Sequence, residues 1–382
     1  MTFATAIRRT VDRFVGGRGE FSITVPVMDG ALKPNDLLES ATCIATIGGV
    51  DNAIVVAGGL LVSSGDRIVE VDATGQQREH SRHEAPISCL AVSASGVIAI
   101  GLDGIGLKIV GGKHDGKLFG RLAGGLLNCP AAAIFLDEDT LIACNGSTSF
   151  PAAQWRHDLL HLGHSGTVAR IDLTAETPPV DLATGLCFPA GICTNGVGGE
   201  VVVSEAWRHR LISLAADRPS SPTEILGGLP GYPGRLHGST AGGYWLALFA
   251  IRSQLQEFVL RESRFRKQMI AEIDPEFWIA PALTSGHSFK EPLQAGGVIR
   301  LGIHKPWAPT RSYGLVLRLD ADFQPVWSAH SRAGATRHGI TSLVEAGGRL
   351  VATSKGNGEV VTFEHTALSE PIDTALHKEL SR

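Results

Sequence analysis

Hydrophobic and polar positions alternate in short runs along most of the chain, and turns rich in glycine, aspartate or asparagine separate these runs. This alternation is typical of β-strands, and glycine supplies the positive φ that tight hairpin turns require. The pattern occurs six times, over residues 54–72, 87–110, 132–173, 191–214, 238–323 and 340–364. Six units of three or four strands predict an all-β protein, a six-bladed β-propeller that closes as one unit. A pair of β-sandwiches is the alternative, because spacing alone does not establish closure.

Three segments depart from the repeat. Near the N-terminus, apolar side chains at helical spacing predict a helix packed on the propeller rim, with a membrane-surface or partner helix as the alternative: Phe3, Ile7, Val11 and Phe14. Residues 151–165 include a short helical stretch, and residues 252–311 interrupt the fifth unit. The longer segment begins as a helix and then becomes rich in proline and glycine. Because long ordered insertions are often lids, we expect a helical lid inserted in blade five.

These patterns divide the chain into three parts. Residues 1–38 are expected to form the N-terminal helix and a lead-in strand. Residues 39–366 are expected to form the propeller with its lid at about 252–311, and residues 367–382 a C-terminal tail.

Composition narrows the possible partners and compartments. Of 382 residues, 43% are hydrophobic, so a large core can form, and 46 are glycine, which fits many tight turns. The net charge of -4 and the lack of a basic stripe argue against nucleic-acid binding. No apolar window is long enough for a membrane span, and no apolar signal region follows the N-terminal arginines. Six scattered cysteines without a C-x-x-C pair indicate reduced thiols, so we expect a cytoplasmic protein, with a homo-oligomer possible.

Four ordered motifs carry a resemblance to a known family. They are GLCFPAG (185–191), VSEAWRHRL (203–211), LPGYPGR (229–235) and GYWLAL (243–248). Their order and content resemble the strictosidine-synthase-like family, which is grouped with gluconolactonase-like proteins, and the resemblance extends over about residues 39–364. It implies a six-bladed propeller with a small-molecule site at the central tunnel.

The resemblance also implies a divalent metal, usually calcium, held by one Glu, two Asn and one Asp. Glu39 matches the Glu, and Asn128 matches the first Asn. The second Asn is replaced by Ala190, and the Asp position falls on Gly234, next to Arg235. Calcium is therefore the cofactor of the family, but two of its four expected ligands are absent, and the arginine opposes cation binding.

The strictosidine-forming branch has a catalytic Glu near the start of the last unit, and that position falls on Thr341. An amine–aldehyde condensation is therefore not expected. His338 lies three residues earlier and can act as an acid or base near neutral pH.

The remaining candidates at the tunnel mouth suit a small anionic substrate. Arg235 would bind a carboxylate through its planar fork, paired with Glu39, whose pKa it would lower. We expect Glu39, His237 and His338 to be catalytic and Asn128 to contact the substrate, although each could instead be structural. Further candidates for substrate binding follow from their positions near the mouth or in the lid: Asn145, Trp155, Tyr232 and His304.

A second constellation is independent of the resemblance. His157, His161 and His164 are spaced so that a helix would place them on one face, where imidazoles could hold zinc or another transition metal. Gly163 can end that helix before the last histidine, so contact with a ligand over the tunnel mouth is the alternative.

These features together predict a hydrolase that cleaves an ester or lactone bond of a small anionic molecule. A metal-free lyase or isomerase, or a non-catalytic propeller that binds a ligand or a partner, is the alternative, since fold alone does not determine function.

Overall fold

Six four-stranded antiparallel sheets make up most of the structure. The computed structural model describes residues 25–174, 178–195, 199–288, 290–292, 299–300, 303–304 and 311–363. Within each sheet the strands follow one another in chain order from the centre outward, except that the N-terminal strand joins the last sheet. The expected six-bladed propeller is confirmed.

The first three blades follow the N-terminal strand β1 (Thr42–Thr46), and the strands of each run from the centre outward. Blade 1 contains β2 (Val50–Val56), β3 (Gly59–Ser64), β4 (Arg67–Asp72) and β5 (Gln77–Arg82). Blade 2 contains β6 (Ile87–Val92), β7 (Ile98–Leu102), β8 (Gly106–Val110) and β9 (Leu118–Phe119). A small hairpin, β10 (Arg121–Leu122) and β11 (Gly125–Leu126), follows. Blade 3 contains β12 (Pro130–Phe135), β13 (Thr140–Asn145), β14 (Gly166–Asp172) and β15 (Val180–Leu186).

The remaining blades continue the same order. Blade 4 contains β16 (Pro189–Asn195), β17 (Glu200–Glu205), β18 (Arg210–Ala215) and β19 (Thr223–Leu226). Blade 5 begins with β20 (Gly231–Gly238) and β21 (Tyr244–Ile251). The insertion then includes the ribbon β22 (Ile299–Arg300) and β23 (Ile303–His304), and the blade resumes with β24 (Gly314–Leu319) and β25 (Pro325–Ser331). Blade 6 contains β26 (Ile340–Ala346), β27 (Arg349–Ser354) and β28 (Glu359–Phe363), with β1 outermost.

The innermost strands form a closed ring. Each of β2, β6, β12, β16, β20 and β26 contacts its neighbours in this series, and β26 contacts β2. A separate apolar cluster fills each gap between adjacent blades. Central strands such as β13 are therefore buried on both faces, which a propeller requires and which excludes the sandwich alternative.

Strand β1 closes the ring by pairing antiparallel with β28. Arg337 secures this closure through its Nη1, which donates to the carbonyl oxygens of Leu38 at 2.9 Å, Glu39 at 2.7 Å and Ala41 at 2.6 Å. Its Nε donates to Glu359 at 2.8 Å. One side chain thus connects the segment before β1 to the outer part of blade 6.

The helices lie at the N-terminal side and over one end of the propeller. They are α1 (Leu37–Ser40), α2 (Trp155–Leu160), α3 (Gln254–Arg261) and α4 (Ser263–Glu272). Single 3-10 turns are Gly30–Leu32, Gly112–His114, Ala152–Gln154, Ala206–Arg208 and Pro275–Phe277. Helix α3 begins where the hydroxyl of Ser253 accepts a hydrogen bond from the backbone N–H of Gln256, a regular N-cap.

The insertion in blade 5 packs on the helix of blade 3. An apolar cluster joins α2 to the insertion through Leu160, Val259, Met269, Trp278 and Ala280. A helical insertion in blade five is therefore present and packs on α2, and its role as a lid stays a prediction.

Some expectations fall outside the described residues. The N-terminal helix over residues 3–15 and the C-terminal tail over 367–382 are among them. In the described part of the N-terminal segment, residues 25–38 form a 3-10 turn and the start of α1. None of the described helices is long and apolar enough to cross a membrane.

Candidate functional site

A cavity opens on the propeller axis, with an empty volume of about 730 Å³ including its open mouth. In five of the six blades, the second residue of the innermost strand lines it: Asp51, Ser88, Ala131, Ala190 and Thr341. Blade 5 contributes Gly234 and Arg235 instead.

Irregular strand pairing explains why these side chains face the axis. In each innermost strand the register with the second strand shifts at this point, for example between Ile87 and Cys89 and between Ile340 and Ser342. Such bulges leave one residue out of the ladder and redirect its side chain. Strand β20 has two shifts, one of them between Pro233 and Leu236, and Arg235 lies within it.

A cluster of three charged side chains forms the polar end of the cavity. The Nη1 of Arg235 donates to Oδ1 of Asp51 at 2.7 Å, and the Nζ of Lys355 donates to Oδ2 at 2.5 Å. Arg235 is fixed further by the carbonyl oxygens of Thr341, at 3.0 Å, and of Ser88. Its Nε is buried and has no hydrogen-bond partner among the described residues.

The carboxylate of Asp51 stays ionised. Burial raises its pKa, but the positive charges of Lys355 and Arg235 outweigh that effect and hold the pKa below its usual value. These three groups carry two cations and one anion, and Asp103, which also lines the cavity, balances the four charges when it is ionised.

Asp103 brings a second carboxylate to the cavity from the turn after β7. Its oxygens accept the backbone N–H groups of Ala152 at 2.5 Å and Ala153 at 2.9 Å, which hold the turn before α2. Burial raises the pKa of Asp103 above its usual value, although these hydrogen bonds oppose the rise. A carboxylate with a raised pKa is a better proton acceptor than an ordinary aspartate.

Aromatic and aliphatic side chains form the rest of the wall. Trp155, Phe188, Phe249 and Leu283 line the cavity. The rings of Trp155 and Phe249 meet edge to face at 5.4 Å, and Phe188 stacks on Trp207 at 4.4 Å. These contacts hold the wall rigidly, so the cavity combines an apolar body with one charged end.

The site does not fit the calcium ion that the resemblance implies. Ala190 and Gly234 line the cavity at two expected ligand positions and carry no side-chain oxygen. Both carboxylate oxygens of Asp51 are bound by cations. Calcium needs six to eight oxygen ligands, and the guanidinium and ammonium groups would repel it. Among the described residues, no group of three or more His, Cys, Asp or Glu side chains could hold a metal ion.

Of the expected site residues, Arg235 and Trp155 line the cavity, whereas Glu39 does not. The Oε1 of Glu39 accepts hydrogen bonds from Ser331 at 2.5 Å and from the backbone N–H of Arg337 at 2.9 Å. Burial raises its pKa, but these hydrogen bonds bring the pKa below the usual value. The expected Glu39–Arg235 pair is therefore corrected: Arg235 pairs with Asp51, because Glu39 lies in the closure of blade 6.

The two expected catalytic histidines lie away from the cavity. His338 is buried, with Nδ1 at 2.7 Å from the Ser312 hydroxyl and Nε2 at 3.1 Å from the Arg332 carbonyl oxygen. Burial lowers the pKa of His237, and Glu345 opposes this effect. Glu345 accepts hydrogen bonds from Thr240 in the loop after β20, and His237 does not line the cavity. The structure does not bring either histidine to Arg235.

Three expected substrate contacts also lie outside the cavity lining. Asn145 is buried, accepting the Cys129 N–H and donating to the Leu126 carbonyl, so it holds a loop. Tyr232 is fully buried behind the wall. Asn128 lies in a loop, where its carbonyl oxygen accepts the Gly104 N–H. The backbone of His304 pairs with Ile299 in the β22–β23 ribbon, and its contact with the substrate stays a prediction.

The three spaced histidines do not form a metal site. His157 packs edge to face on Trp278 at 4.7 Å. The Nδ1 of His161 lies 2.8 Å from the backbone oxygen of His157, and His164 lies beyond the end of α2. The expected face is broken because the helix ends at Leu160.

Sequence reasoning missed Asp51, Asp103 and Lys355. The signal was present in the repeat: Asp51 and Thr341 occupy the same position in their innermost strands. Likewise, Asp103 and Lys355 each follow the second strand of their blades. Aligning the six units with one another would have placed all four residues at one end of the axis.

Comparison with known proteins supports the resemblance, although no protein-family model matches the chain. Protein Strictosidine Synthase-Like 10 of Arabidopsis thaliana is 24% identical over 130 residues, 34% of each chain. Protein Strictosidine Synthase-Like 13 of the same plant is 28% identical over 132 residues, 32% of each chain. The chain thus spans about a third of the length of the curated relatives that it matches.

Solved structures extend the similarity to almost the whole fold. A gluconolactonase of Xanthomonas campestris has a TM-score of 0.55 and 14% identity, covering 88% of this chain and 96% of its own. Regucalcin of Agrobacterium tumefaciens, a calcium-binding protein, has a TM-score of 0.50 and 12% identity, covering 85% and 92%. At these identities the likeness establishes the fold alone. The predicted resemblance to strictosidine-synthase-like and gluconolactonase-like propellers is confirmed.

Proposed function

We propose that the protein is a hydrolase that cleaves an ester or lactone bond of a small anionic molecule in the axial cavity. The observation that carries the proposal is the convergence of Arg235, Lys355 and Asp103 in one apolar-walled cavity. A gluconolactonase among the structural neighbours supports this reaction type by analogy of fold.

Lys355 is the proposed anchor for the substrate anion. An ammonium group has three protons, and one of them is donated in a hydrogen bond to the Asp51 carboxylate. Its side chain is 36% exposed, so the remaining protons are accessible from the cavity mouth. Arg235 holds the carboxylate of Asp51 in place and adds positive charge.

Asp103 is the proposed general base. A water molecule adds to the acyl carbon while one of its protons passes to the Asp103 carboxylate. The acyl–oxygen bond then breaks, and Asp103 returns the proton to the departing alkoxide oxygen. The products are a carboxylic acid and an alcohol, or a single hydroxy acid from a lactone. Lys355 can stabilise the developing oxyanion electrostatically.

The experiment measures proton release from carboxylate-bearing monoesters and lactones, with wild-type protein and with Asp103→Asn. Asp181→Asn is the matched control, because Asp181 also accepts two consecutive backbone N–H groups and also has a pKa raised by burial. Asp181 does not line the cavity. We expect kcat to fall on the order of 100-fold in Asp103→Asn and to be unchanged in Asp181→Asn.

Two results would overturn the proposal. Equal rates of hydrolysis in Asp103→Asn and the wild type would show that Asp103 is not the base. Saturable binding of the anions with no hydrolysis by the wild type would identify a ligand-binding propeller instead.

A further inference from the structure

We propose that the axial cavity selects a monocarboxylate with an apolar body, a single aromatic ring or a short alkyl chain, and rejects polyhydroxylated sugar acids. This inference rests on the function proposed above and adds the class of substrate. It is drawn from the division of the cavity into one charged end and a wall with few free polar groups.

The wall is built for contact with carbon rather than hydroxyl groups. Its largest side chains are Trp155, Phe188, Phe249 and Leu283, and small alanines occupy the strand positions between the charged groups. Phe188 and Trp155 are held against Trp207, at 4.4 Å and 6.1 Å between ring centroids. Covering an apolar ligand with a rigid apolar wall makes the free energy of binding more favourable, whereas covering a hydroxyl group does not.

The hydroxyl groups at the wall already bond to the protein. Ser88 donates to the Pro130 carbonyl oxygen at 2.6 Å, and Thr341 donates to the Asp51 carbonyl oxygen at 2.7 Å. A polyol would therefore bury several hydroxyl groups with too few partners, and each unsatisfied group weakens binding.

The charged end fits one carboxylate. Lys355 is partly exposed and donates only one of its three ammonium protons to Asp51, so it keeps donors for a ligand. The Arg235 Nε–H has no acceptor among the described residues but is buried, so Lys355 is the cation that reaches a ligand. One ligand carboxylate can accept charge-assisted hydrogen bonds from the exposed ammonium, whereas an uncharged ligand offers no anionic acceptor.

Calorimetric titration of the full chain with phenylacetate and with gluconate tests the inference. Both are monocarboxylates without an ester bond, so binding is measured independently of hydrolysis. We expect phenylacetate to bind with a Kd at least tenfold below that of gluconate. This comparison needs only the wild-type protein.

Two variants test which end of the cavity binds the carboxylate and which binds the apolar body of the ligand. Lys355→Met should weaken phenylacetate binding at least tenfold. Lys108→Met is its matched control, because Lys108 is also partly exposed and also pairs with a carboxylate, Glu84 at 3.7 Å, but lies outside the cavity. Leu283→Ala should weaken phenylacetate binding several-fold and leave gluconate binding unchanged.

The inference is overturned if gluconate binds as tightly as phenylacetate, if neither binds, or if Lys355→Met binds like Lys108→Met. Selective phenylacetate binding without hydrolysis of any monoester has a different meaning. It would contradict the proposed hydrolase while the inferred ligand class stands.

Discussion

At the scale of single residues, the account depends on Asp51, which connects two cations from distant parts of the chain. Arg235 comes from blade 5, and Lys355 follows the second strand of blade 6. Sequence reasoning found Arg235 but gave it the wrong partner, since salt-bridge partners 184 residues apart leave no local pattern. Only the bulge at the second position of β2 turns Asp51 toward the axis.

The first prediction concerns the stability of this cluster. Asp51→Asn removes the anion and leaves Arg235 and Lys355 next to each other, so we expect a loss of about 3 kcal/mol in the free energy of unfolding. Asp66→Asn is the control, because its pair with Arg82 at 2.9 Å is exposed and is worth roughly 0–1 kcal/mol. Denaturant unfolding of both variants measures the difference, and equal losses would contradict a special role for Asp51.

A second prediction concerns the pH dependence of hydrolysis. The base must be deprotonated, and burial raises the pKa of Asp103 above the usual aspartate value. Activity is therefore full at neutral pH and falls as the pH drops through this raised pKa. We expect the pH–rate profile of kcat/KM to show an acidic limb in the wild type. Asp181→Asn should show the same limb. A rate that is independent of pH throughout the acidic range would exclude Asp103 as the base.

At the scale of elements, strands were predictable because alternation and glycine turns reflect local geometry. The helical insertion in blade five was also predictable, because its helical spacing breaks the strand pattern. The predicted common face of three histidines was wrong. His157, His161 and His164 would share a face only on a helix longer than α2, which ends at Leu160. The helix ends locally: Leu162 adopts a φ of 59°, and the Gly163 N–H donates to the Asp158 carbonyl oxygen at 2.9 Å, so the glycine was the better signal.

Strand β25 carries the third prediction. Burial lowers the pKa of His330 to about 4, from an ordinary value of 6.5, and the ring lies between the hydroxyls of Tyr313 at 3.0 Å and Ser328 at 2.9 Å. Because the folded-state pKa lies below that of the unfolded chain, the unfolded chain takes up the proton first as the pH falls. The stabilisation is complete above about pH 6.5 and is lost as the pH falls from there towards 4.

The free energy of unfolding of the wild type should therefore decline over this pH window. In His330→Gln the decline should be smaller, whereas in His80→Gln, on the exposed strand β5, it should be unchanged. Identical pH dependence in the wild type and His330→Gln would show that another group is responsible.

At the scale of the whole molecule, the propeller exists only as a closed ring, and blade 6 completes it with residues from both ends of the described chain. Repeat counting predicted six blades but not which segment closes them. Glu39, expected at the active site, belongs to this closure through Ser331 and Arg337. The same resemblance that identified the fold therefore misplaced one of its proposed catalytic residues.

The fourth prediction concerns this closure. Arg337→Met leaves three backbone carbonyl groups and Glu359 without their donor, so we expect a loss of about 2–3 kcal/mol in the free energy of unfolding. Arg332→Met is the control, because its bonds to Asp36 are exposed. Glu39→Gln should lower stability without changing the hydrolysis rate per folded molecule. Loss of hydrolysis in a stably folded Glu39→Gln variant would show that Glu39 is part of the catalytic site.

The most direct test of the central claim, that fixed cations make the axial cavity an anion site, is the melting temperature with increasing phenylacetate or calcium. A ligand that binds only the folded state raises this temperature. The account predicts a saturable rise with phenylacetate, absent from Lys355→Met, and no saturable rise with calcium. A saturable rise with calcium that Asp51→Asn abolishes, and none with phenylacetate, would contradict it.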